Sequence, residues 1–263
     1  ENINVIHCLD TTLPAWTNQV PIVATIHDLY LALHADHLDA ETIRRKRKKI
    51  VDTCSKSAHI IVPSDAIRCE LEEVFEPGVP ISTVPHGIEP RLVNALSRKG
   101  RKKEINRNYI LGFSGGIRKN LTLLAEAFCR SSAYAMGWCL AVVGKPSDEE
   151  LRCALSSVPY ERLNIYDQLS DEDLMTLYSN AGAVCYPSYY EGFGFPVLEG
   201  MAAGIPVVTS GHGATGEIAN GYACLVDACS AESIKNGLDK AIIMDLKEIE
   251  RARKYAISYT WSR

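Results

Sequence analysis

Two acidic residues and several glycines stand close together in the second half of the chain, within residues 186–208. Glu191 and Glu199 are separated by seven residues, and Gly192 follows the first of them directly. Pro196 suits the first turn of a helix, because its φ is already fixed and it has no N–H to leave unpaired. Glu191 is therefore predicted in a loop after a buried strand, and Glu199 in the opening turns of the next helix, at the edge where open α/β sheets bind ligands.

This loop offers two kinds of group to one ligand. Backbone N–H groups at the start of a helix bind anions, whereas carboxylates accept hydrogen bonds from sugar or ribose hydroxyls. The predicted ligand therefore carries both an anion and a polyol. Alternatively, the acids only complement the helix dipole, which contributes about 0.3 to 1 kcal/mol, and the glycines only allow the turn. The loop alone does not separate these interpretations.

A second loop contains two adjacent cations, Arg118 and Lys119, within the sequence Gly-Phe-Ser-Gly-Gly-Ile-Arg-Lys-Asn. It follows a predicted strand and precedes a run with helical spacing, for which Asn120 is the predicted N-cap. Gly115 and Gly116 let a ligand approach the backbone, and paired cations bind a diphosphate where no metal does so. The alternative interpretation is a solvated pair of charges on a loop.

Apolar runs of four to seven residues alternate with helical patterns along most of the chain. This alternation is typical of parallel strands joined by crossover helices, so the predicted fold class is α/β. The predicted strands are residues 5–8, 22–26, 59–62, 81–84, 109–113, 139–143, 183–186 and 206–209.

A basic, polar stretch at residues 97–103 interrupts the hydrophobic pattern and is predicted to be an interdomain linker. It divides the chain into residues 1–107 and residues 108–263. The second segment is long enough to bury its own core. The first is predicted to be incomplete, with about four strands and two or three helices, which leaves a sheet edge uncovered.

The composition excludes several classes of protein. Of the 263 residues, 46% are hydrophobic and 23% are charged, as in a globular protein, and the net charge of -4 gives no indication of nucleic acid binding. No apolar run approaches the roughly 18 residues of a membrane span. The nine cysteines are odd in number and lack a C-x-x-C spacing, which favours reduced thiols in a cytoplasmic protein.

The two loops, in this order, resemble the retaining glycosyltransferases of family GT4, which have the GT-B fold of two Rossmann-like domains. The resemblance rests on Arg118-Lys119-Asn120 and on the spacing of Glu191 and Glu199. Supporting segments are Leu169-Ser-Asp-Glu-Asp-Leu174, Tyr186-Pro-Ser188, Met201-Ala-Ala-Gly-Ile-Pro-Val207, Gly216-Glu-Ile218 and Tyr259-Thr-Trp261. The family's N-terminal glycine-rich acceptor loop is absent, so we expect a fragment that lacks the start of the first domain.

The resemblance implies roles for the residues of both loops. Arg118 and Lys119, beside Gly115 and Gly116, hold the donor diphosphate and offset the charge on the departing nucleotide. Glu199 binds the nucleotide ribose. Such enzymes use no essential metal for this task.

The resemblance also assigns the transferred sugar to the glycine-rich loop. Glu191 binds its hydroxyls and is a positioning group rather than a nucleophile. Further backbone N–H groups are expected from Gly192, Phe193, Gly194 and Phe195.

His27 ends a predicted strand, and the resemblance implies that it faces the reacting sugar and its acceptor. Alternatively, it is a polar residue at the end of a buried strand. A metal site with His34 and His37 is disfavoured, because no fourth ligand has suitable spacing. His86 stands where the family usually has Asn, which leaves its role open. Asp167 stands where the family often has Gly, at a position that usually lies close to the base, so base preference is open.

A run of basic residues lies in a helix-like stretch and either meets anionic lipid headgroups or forms a solvated face. These residues are Arg44, Arg45, Lys46, Arg47, Lys48 and Lys49. The first interpretation predicts peripheral contact with the inner face of a membrane.

The implied function is transfer of a hexose, mannose or glucose, from a GDP- or UDP-linked donor to a glycan or lipid-linked acceptor, with retention at the anomeric carbon, in polysaccharide biosynthesis. No cofactor is expected besides this substrate. Two alternatives are a non-catalytic nucleotide-sugar-binding module and a GT-B nucleotide-sugar epimerase. An epimerase needs no acceptor, whereas the cations together with the spaced glutamates favour transfer.

Overall fold

The computed structural model describes residues 3–14, 20–35, 37–89 and 108–262 of the chain. The chain divides into two compact units. The first unit runs up to His86 and also includes Glu191–Phe193, and the second begins at Gly87 and includes the rest of the chain. The predicted linker at residues 97–103, and the predicted boundary after residue 107, lie outside the described residues.

The first unit is built on a parallel sheet of four described strands, in the order β1-β2-β3-β4. The strands are β1 (Ile6–Cys8), β2 (Ile22–Thr25), β3 (His59–Val62) and β4 (Ile81–Thr83). The helices are α1 (Tyr30–Leu33), α2 (Ala40–Lys56) and α3 (Asp65–Phe75).

Local capping determines where the two longer helices of this unit begin. Asp39 accepts a hydrogen bond from Thr42 N at 2.9 Å and caps α2, and Ser64 caps α3 through Ile67 N at 3.3 Å. Glu76 ends α3 in the left-handed conformation, with φ 44°.

The second unit is built on a parallel sheet of six described strands, in the order β10-β9-β8-β5-β6-β7. The strands are β5 (Tyr109–Phe113), β6 (Cys139–Val143), β7 (Leu163–Tyr166), β8 (Ala183–Tyr186), β9 (Val207–Ser210) and β10 (Cys224–Val226). The helices are α4 (Leu121–Cys129), α5 (Ser132–Ala135), α6 (Asp148–Ser157), α7 (Asp171–Asn180), α8 (Phe195–Ala202), α9 (Gly213–Ala219), α10 (Ala231–Ala241) and α11 (Leu246–Ala256), with 3-10 turns at Ile117–Lys119 and Tyr160–Arg162.

The core of the second unit lies between the sheet and its helices. Leu124 and Phe128 of α4 are fully buried, as are Leu140 of β6 and Val184 of β8. The central strands are buried on both faces, which is why they form continuous apolar runs in the sequence. Gly200 brings α8 close to this sheet, because a Cβ there would lie 3.0 Å from Val184 Cγ2.

The prediction of an α/β fold with two parallel sheets is confirmed. Each of the eight predicted strands is present. Four have the predicted bounds and the other four differ by one residue at one or both ends, and β7 and β10 are additional strands. Among the described residues, no helix is both long and apolar enough to cross a membrane.

Candidate functional site

The two predicted loops of the second unit follow neighbouring strands. The chain adds β6 and β7 on one side of β5, and then returns to place β8, β9 and β10 on the other side. β5 and β8 are paired directly, with Leu111 beside Val184. The strand order therefore reverses between β5 and β8, and ligands of open parallel sheets bind beyond the carboxyl ends of the strands at this kind of point.

The loop after β5 exposes its backbone at two glycines. Gly115 has φ 122° and Gly116 has φ 118°, a region that favours glycine. No atom of the described residues lies within 4 Å of a Cβ built at either position. The loop therefore leaves open space for a ligand beside Arg118 and Lys119.

Asn120 occupies the N-cap position of α4, as predicted, but its side chain does not cap the helix. The residue has φ 62°, in the left-handed region, and its side chain makes no capping hydrogen bond with the described first turn. Instead, its Nδ2 donates to Pro187 O at 3.0 Å and to Ala228 O at 2.7 Å. The amide thus ties the loop before α4 to the loops that follow β8 and β10.

Arg118 is half-buried, and its backbone connects the same loops. Its carbonyl oxygen accepts hydrogen bonds from Tyr189 N and from Ser188 Oγ, both at 2.8 Å. Two loops that are 70 residues apart in the sequence are therefore held in register at the carboxyl ends of β5 and β8.

Lys119 lies against Tyr186, the last residue of β8. Its Nζ donates a hydrogen bond to the Tyr186 hydroxyl and lies 4.7 Å from the centroid of that ring. Tyr186 is buried, so its ring is a fixed support for the ammonium group.

Glu199 lies in α8, as predicted, and this helix starts after Gly194, with φ 113°. The Tyr178 hydroxyl, from α7, donates to Glu199 Oε2 at 2.7 Å. Burial raises the pKa of Glu199, and the hydrogen bond from Tyr178 opposes this rise. Burial, and then the neighbouring Glu199 charge, raise the pKa of Tyr178, so its hydroxyl remains a donor at neutral pH.

Glu191, Gly192 and Phe193 group with the first unit. Gly192 O accepts a hydrogen bond from the buried Ser64 Oγ at 2.8 Å. A Cβ built on Gly192 would lie 1.9 Å from His27 O, so only glycine fits there. Glu191 is half-buried.

His27 lies two residues after the end of β2 and is exposed. Its Nε2 lies 2.8 Å from Leu9 O, and its ring stacks on His86 with centroids 5.6 Å apart. The edge of Phe193 meets the His86 ring at 5.0 Å. Burial, and then the charge of His27, lower the pKa of His86.

The predicted site residues therefore fall into two groups. The second unit holds Gly115, Gly116, Arg118, Lys119, Gly194, Phe195 and Glu199, and the first holds His27, Glu191, Gly192 and Phe193.

The histidines after β2 do not gather around a metal position. His34 Nε2 contacts Glu70 Oε1 at 2.5 Å, and the His37 ring packs near Tyr30. In the parts of the chain that the structure describes, no group of three potential metal ligands occurs.

Several residues of the basic run in α2 contact other residues of the first unit. Arg44 pairs with Glu41 at 2.7 Å, and Lys49 Nζ donates to Thr12 Oγ1 at 2.9 Å. Arg47 lies 5.8 Å from the centroid of the Phe75 ring. Membrane contact through this run stays a prediction.

Sequence reasoning missed Tyr178 and the supporting role of Tyr186. A tyrosine in an amphipathic helix such as α7 is usually interpreted as a core residue. Only its hydroxyl group, which needs a hydrogen-bond partner when buried, indicates a further role. Asp167, where the sequence left base preference open, is exposed just after β7.

Comparison with known proteins identifies the family. The family model of glycosyl transferases group 1 matches residues 98–259, and the model of glycosyltransferase family 4 matches residues 1–92. The chain belongs to the group 1 glycosyltransferases of family GT4. The family suggested by the two loops is confirmed.

Curated relatives carry several sugar-transfer names. Glycogen synthase from Mycobacterium tuberculosis is 26% identical over 203 residues, covering 75% of this chain and 48% of that protein. D-inositol 3-phosphate glycosyltransferase from Corynebacterium urealyticum is 25% identical, covering 94% of this chain and 62% of that protein. O-antigen chain mannosyltransferase B from Escherichia coli is 38% identical over 87 residues, covering 33% of this chain and 23% of that protein.

Solved structures confirm the GT-B fold. Sucrose-phosphate synthase from Thermosynechococcus elongatus superposes with a TM-score of 0.75 and 20% identity, covering 92% of this chain and 65% of that chain. A UDP-forming trehalose-phosphate synthase from Burkholderia xenovorans superposes with a TM-score of 0.70 and 16% identity, covering 92% of this chain and 66% of that chain. The chain spans about half to two thirds of the length of these proteins, except the mannosyltransferase, which matches over a shorter segment.

Proposed function

We propose that this glycosyltransferase moves a hexose from a nucleoside diphosphate sugar to a hydroxyl of a glycan or lipid-linked acceptor, with retention at the anomeric carbon. The observation that supports the proposal is that the loops after β5 and β8 are joined by hydrogen bonds at the point where the strand order reverses. One loop supplies Arg118 and Lys119, and the other leads into the helix that carries Glu199.

The cations and the helix start are assigned to the diphosphate. Breaking the bond between sugar and phosphate builds negative charge on the departing diphosphate and positive character on the sugar. Arg118 and Lys119 lower the barrier because they are held in place before the reaction, Arg118 through its backbone and Lys119 on Tyr186. These groups take over the charge neutralisation that a metal performs in other transferases, so we propose a metal-independent reaction.

The carboxylates are assigned to hydroxyl groups. Glu199 is a hydrogen-bond acceptor for the ribose, and Glu191 is an acceptor for the hydroxyls of the transferred sugar. Gly192, Phe193, Gly194 and Phe195 contribute backbone N–H groups. We assign His27 to contact with the sugar or its acceptor, since its ring is exposed after β2.

The donor is proposed to carry mannose or glucose on GDP or UDP. The names of the mannosyltransferase and glycogen synthase relatives support these hexoses and a role in polysaccharide biosynthesis. The proposed location is the cytoplasm.

Binding and product analysis test the proposal. We expect GDP-mannose, UDP-glucose or a related donor to raise the thermal midpoint, since a ligand at 100 times its Kd stabilises the fold by about 2.7 kcal/mol. Arg118→Ala and Glu199→Ala abolish most of this rise. Arg152→Ala and Glu172→Ala, which remove exposed charges of α6 and α7, keep it. Full retention of the rise in both site variants contradicts the assignment.

Product analysis separates the proposed reaction from the two alternatives. Transfer with retention gives an acceptor-dependent product with the anomeric configuration of the donor. Binding without any transfer or hydrolysis supports a non-catalytic module. A donor whose sugar changes configuration without an acceptor supports an epimerase.

We also propose peripheral membrane contact through α2, because Arg45 and Lys48 are exposed and make no ion pair with any described residue. Each such charge contributes about 1 kcal/mol at an anionic surface. Co-sedimentation with phosphatidylserine vesicles tests this: the double variant Arg45→Glu and Lys48→Glu should release the protein. Equal sedimentation of the parent and the variant contradicts the contact.

A further inference from the structure

Two buried tyrosines stand behind the proposed donor-binding side chains of the second unit. Tyr178 donates to Glu199 Oε2 at 2.7 Å, and Tyr186 contacts the Lys119 ammonium through its hydroxyl and its ring. The Phe113 ring packs near both, with its centroid 6.0 Å from that of Tyr178 and 5.6 Å from that of Tyr186. A continuous row of rings thus joins the acid to the cation.

The hydrogen bond from Tyr178 occupies one oxygen of the Glu199 carboxylate. Tyr178 has no exposed surface, so its hydroxyl cannot itself reach a ligand in solvent. Glu199 is half-buried, and Oε1 is the carboxylate oxygen that Tyr178 does not bond. A carboxylate accepts through both oxygens, so one can bond the protein while the other bonds a hydroxyl of the ligand.

We propose that Tyr178 is a positioning residue, which fixes the Glu199 carboxylate so that its second oxygen accepts from the ribose hydroxyls of the donor nucleotide. This inference rests on the proposed function, because it needs Glu199 to bind the ribose. A carboxylate that is held before binding loses less conformational freedom when the ligand arrives. Phe113 packs beside the Tyr178 ring, with the two centroids 6.0 Å apart.

A role in packing alone predicts a different result. Removal of the Tyr178 hydroxyl lowers stability in either case, because it withdraws a buried hydrogen bond from Glu199. Only a positioning role makes the effect depend on whether the ligand has ribose hydroxyls. The decisive quantity is therefore the ratio of the Kd values for a 2′,3′-dideoxynucleoside diphosphate and for the matching ribonucleoside diphosphate.

Isothermal titration of UDP, GDP and their 2′,3′-dideoxy forms measures this ratio. In the parent protein we expect a ratio of roughly tenfold or more for the preferred base, the size of a hydrogen bond to a charged group. Tyr178→Phe should lower it to less than threefold, by weakening ribonucleotide binding and leaving dideoxynucleotide binding unchanged. A parent-like ratio in a folded Tyr178→Phe protein overturns the inference.

Tyr109→Phe is the matched control. Tyr109 OH donates to Leu177 O at 2.6 Å, so this variant also removes a tyrosine hydroxyl bonded to α7, at the residue next to Tyr178, without touching an acid. Its stability should fall while the ratio stays at the parent value. An equal loss of the ratio in both tyrosine variants indicates a general effect on α7 and overturns the inference.

Two further variants distinguish a failure of the ribose assignment from a failure of the positioning role. If Glu199→Ala keeps the parent ratio, the ribose assignment of the proposed function fails, and the inference fails with it. If Glu199→Ala loses the ratio and Tyr178→Phe keeps it, only the positioning role fails. Should Tyr178→Phe not fold, Phe113→Leu loosens the Tyr178 ring and should reduce the ratio about threefold, and an unchanged ratio there overturns the inference.

Discussion

The side-chain amide of Asn120 bonds the carbonyl oxygen of Ala228 at 2.7 Å, across 108 residues of sequence. The same nitrogen bonds Pro187 O at 3.0 Å, and the residue is buried. One side chain before α4 therefore holds the loops after β8 and β10. The positions of Arg118 and Lys119, immediately before it in the chain, depend on this anchor.

Asn120→Ala should reduce the free energy of unfolding by about 2 to 4 kcal/mol, because two buried carbonyl groups lose their donor. Urea unfolding followed by circular dichroism measures the loss. Asn220→Ala is the matched control: Asn220 also has a left-handed φ, of 43°, but it is exposed. It should cost only the backbone strain of about 1 to 2 kcal/mol. Equal losses in the two variants would rule out an anchoring role for the Asn120 amide.

The sequence predicted the central strands better than the edge strands. β5, β6 and β8 appear with their predicted bounds, since strands covered on both faces are continuous apolar runs. The two missed strands, β7 and β10, are the opposite edges of the six-stranded sheet. Each has exposed or half-exposed positions and is only three or four residues long, which leaves a weak pattern.

The positions of the candidate site residues were predictable where a local sequence motif sets them. The placement of Arg118, Lys119 and Glu199 at strand ends or on the following helix follows from glycines and proline near them in the sequence. The bond between Tyr178 and Glu199 joins two helices, so no local spacing indicates it. Asn120 was interpreted as a cap because its residue type suits one, whereas its backbone conformation directs the amide elsewhere.

Glu199→Gln should raise the stability of the protein at pH 7 while it weakens nucleotide binding. Burial raises the pKa of Glu199 above the reference value of 4.5, so the folded state binds the proton more tightly than the unfolded state. Stability is therefore lost as pH rises from 4.5 through the folded pKa, so the carboxylate costs more stability at pH 7 than at pH 5. The amide removes the cost and still accepts from Tyr178. Thermal midpoints at pH 5 and pH 7 check the prediction, and a Glu199→Gln midpoint below the parent at pH 7 would contradict it.

His86 should make the protein less stable in mild acid. Its folded pKa lies below the reference value of 6.5, so the unfolded state binds more protons in this window and stability falls as pH drops from 6.5 through the folded pKa. His86→Asn removes the group. Urea midpoints at pH 7.5 and pH 5.5 should therefore differ less in the variant than in the parent. An identical pH dependence of both proteins would exclude this contribution.

Gly192→Ala should reduce the free energy of unfolding by about 3 kcal/mol or more, because the new methyl group meets a backbone atom that has no rotamer to move away. The Cβ would lie 1.9 Å from His27 O within the first unit, on the segment whose carbonyl bonds Ser64. Gly211→Ala is the control, since its Cβ finds Leu225 Cβ at 3.5 Å, an ordinary contact, and should change stability by less than about 0.5 kcal/mol. Urea unfolding of both variants measures the difference. A Gly192→Ala protein as stable as Gly211→Ala would mean that Glu191–Phe193 does not pack against the end of β2 in solution.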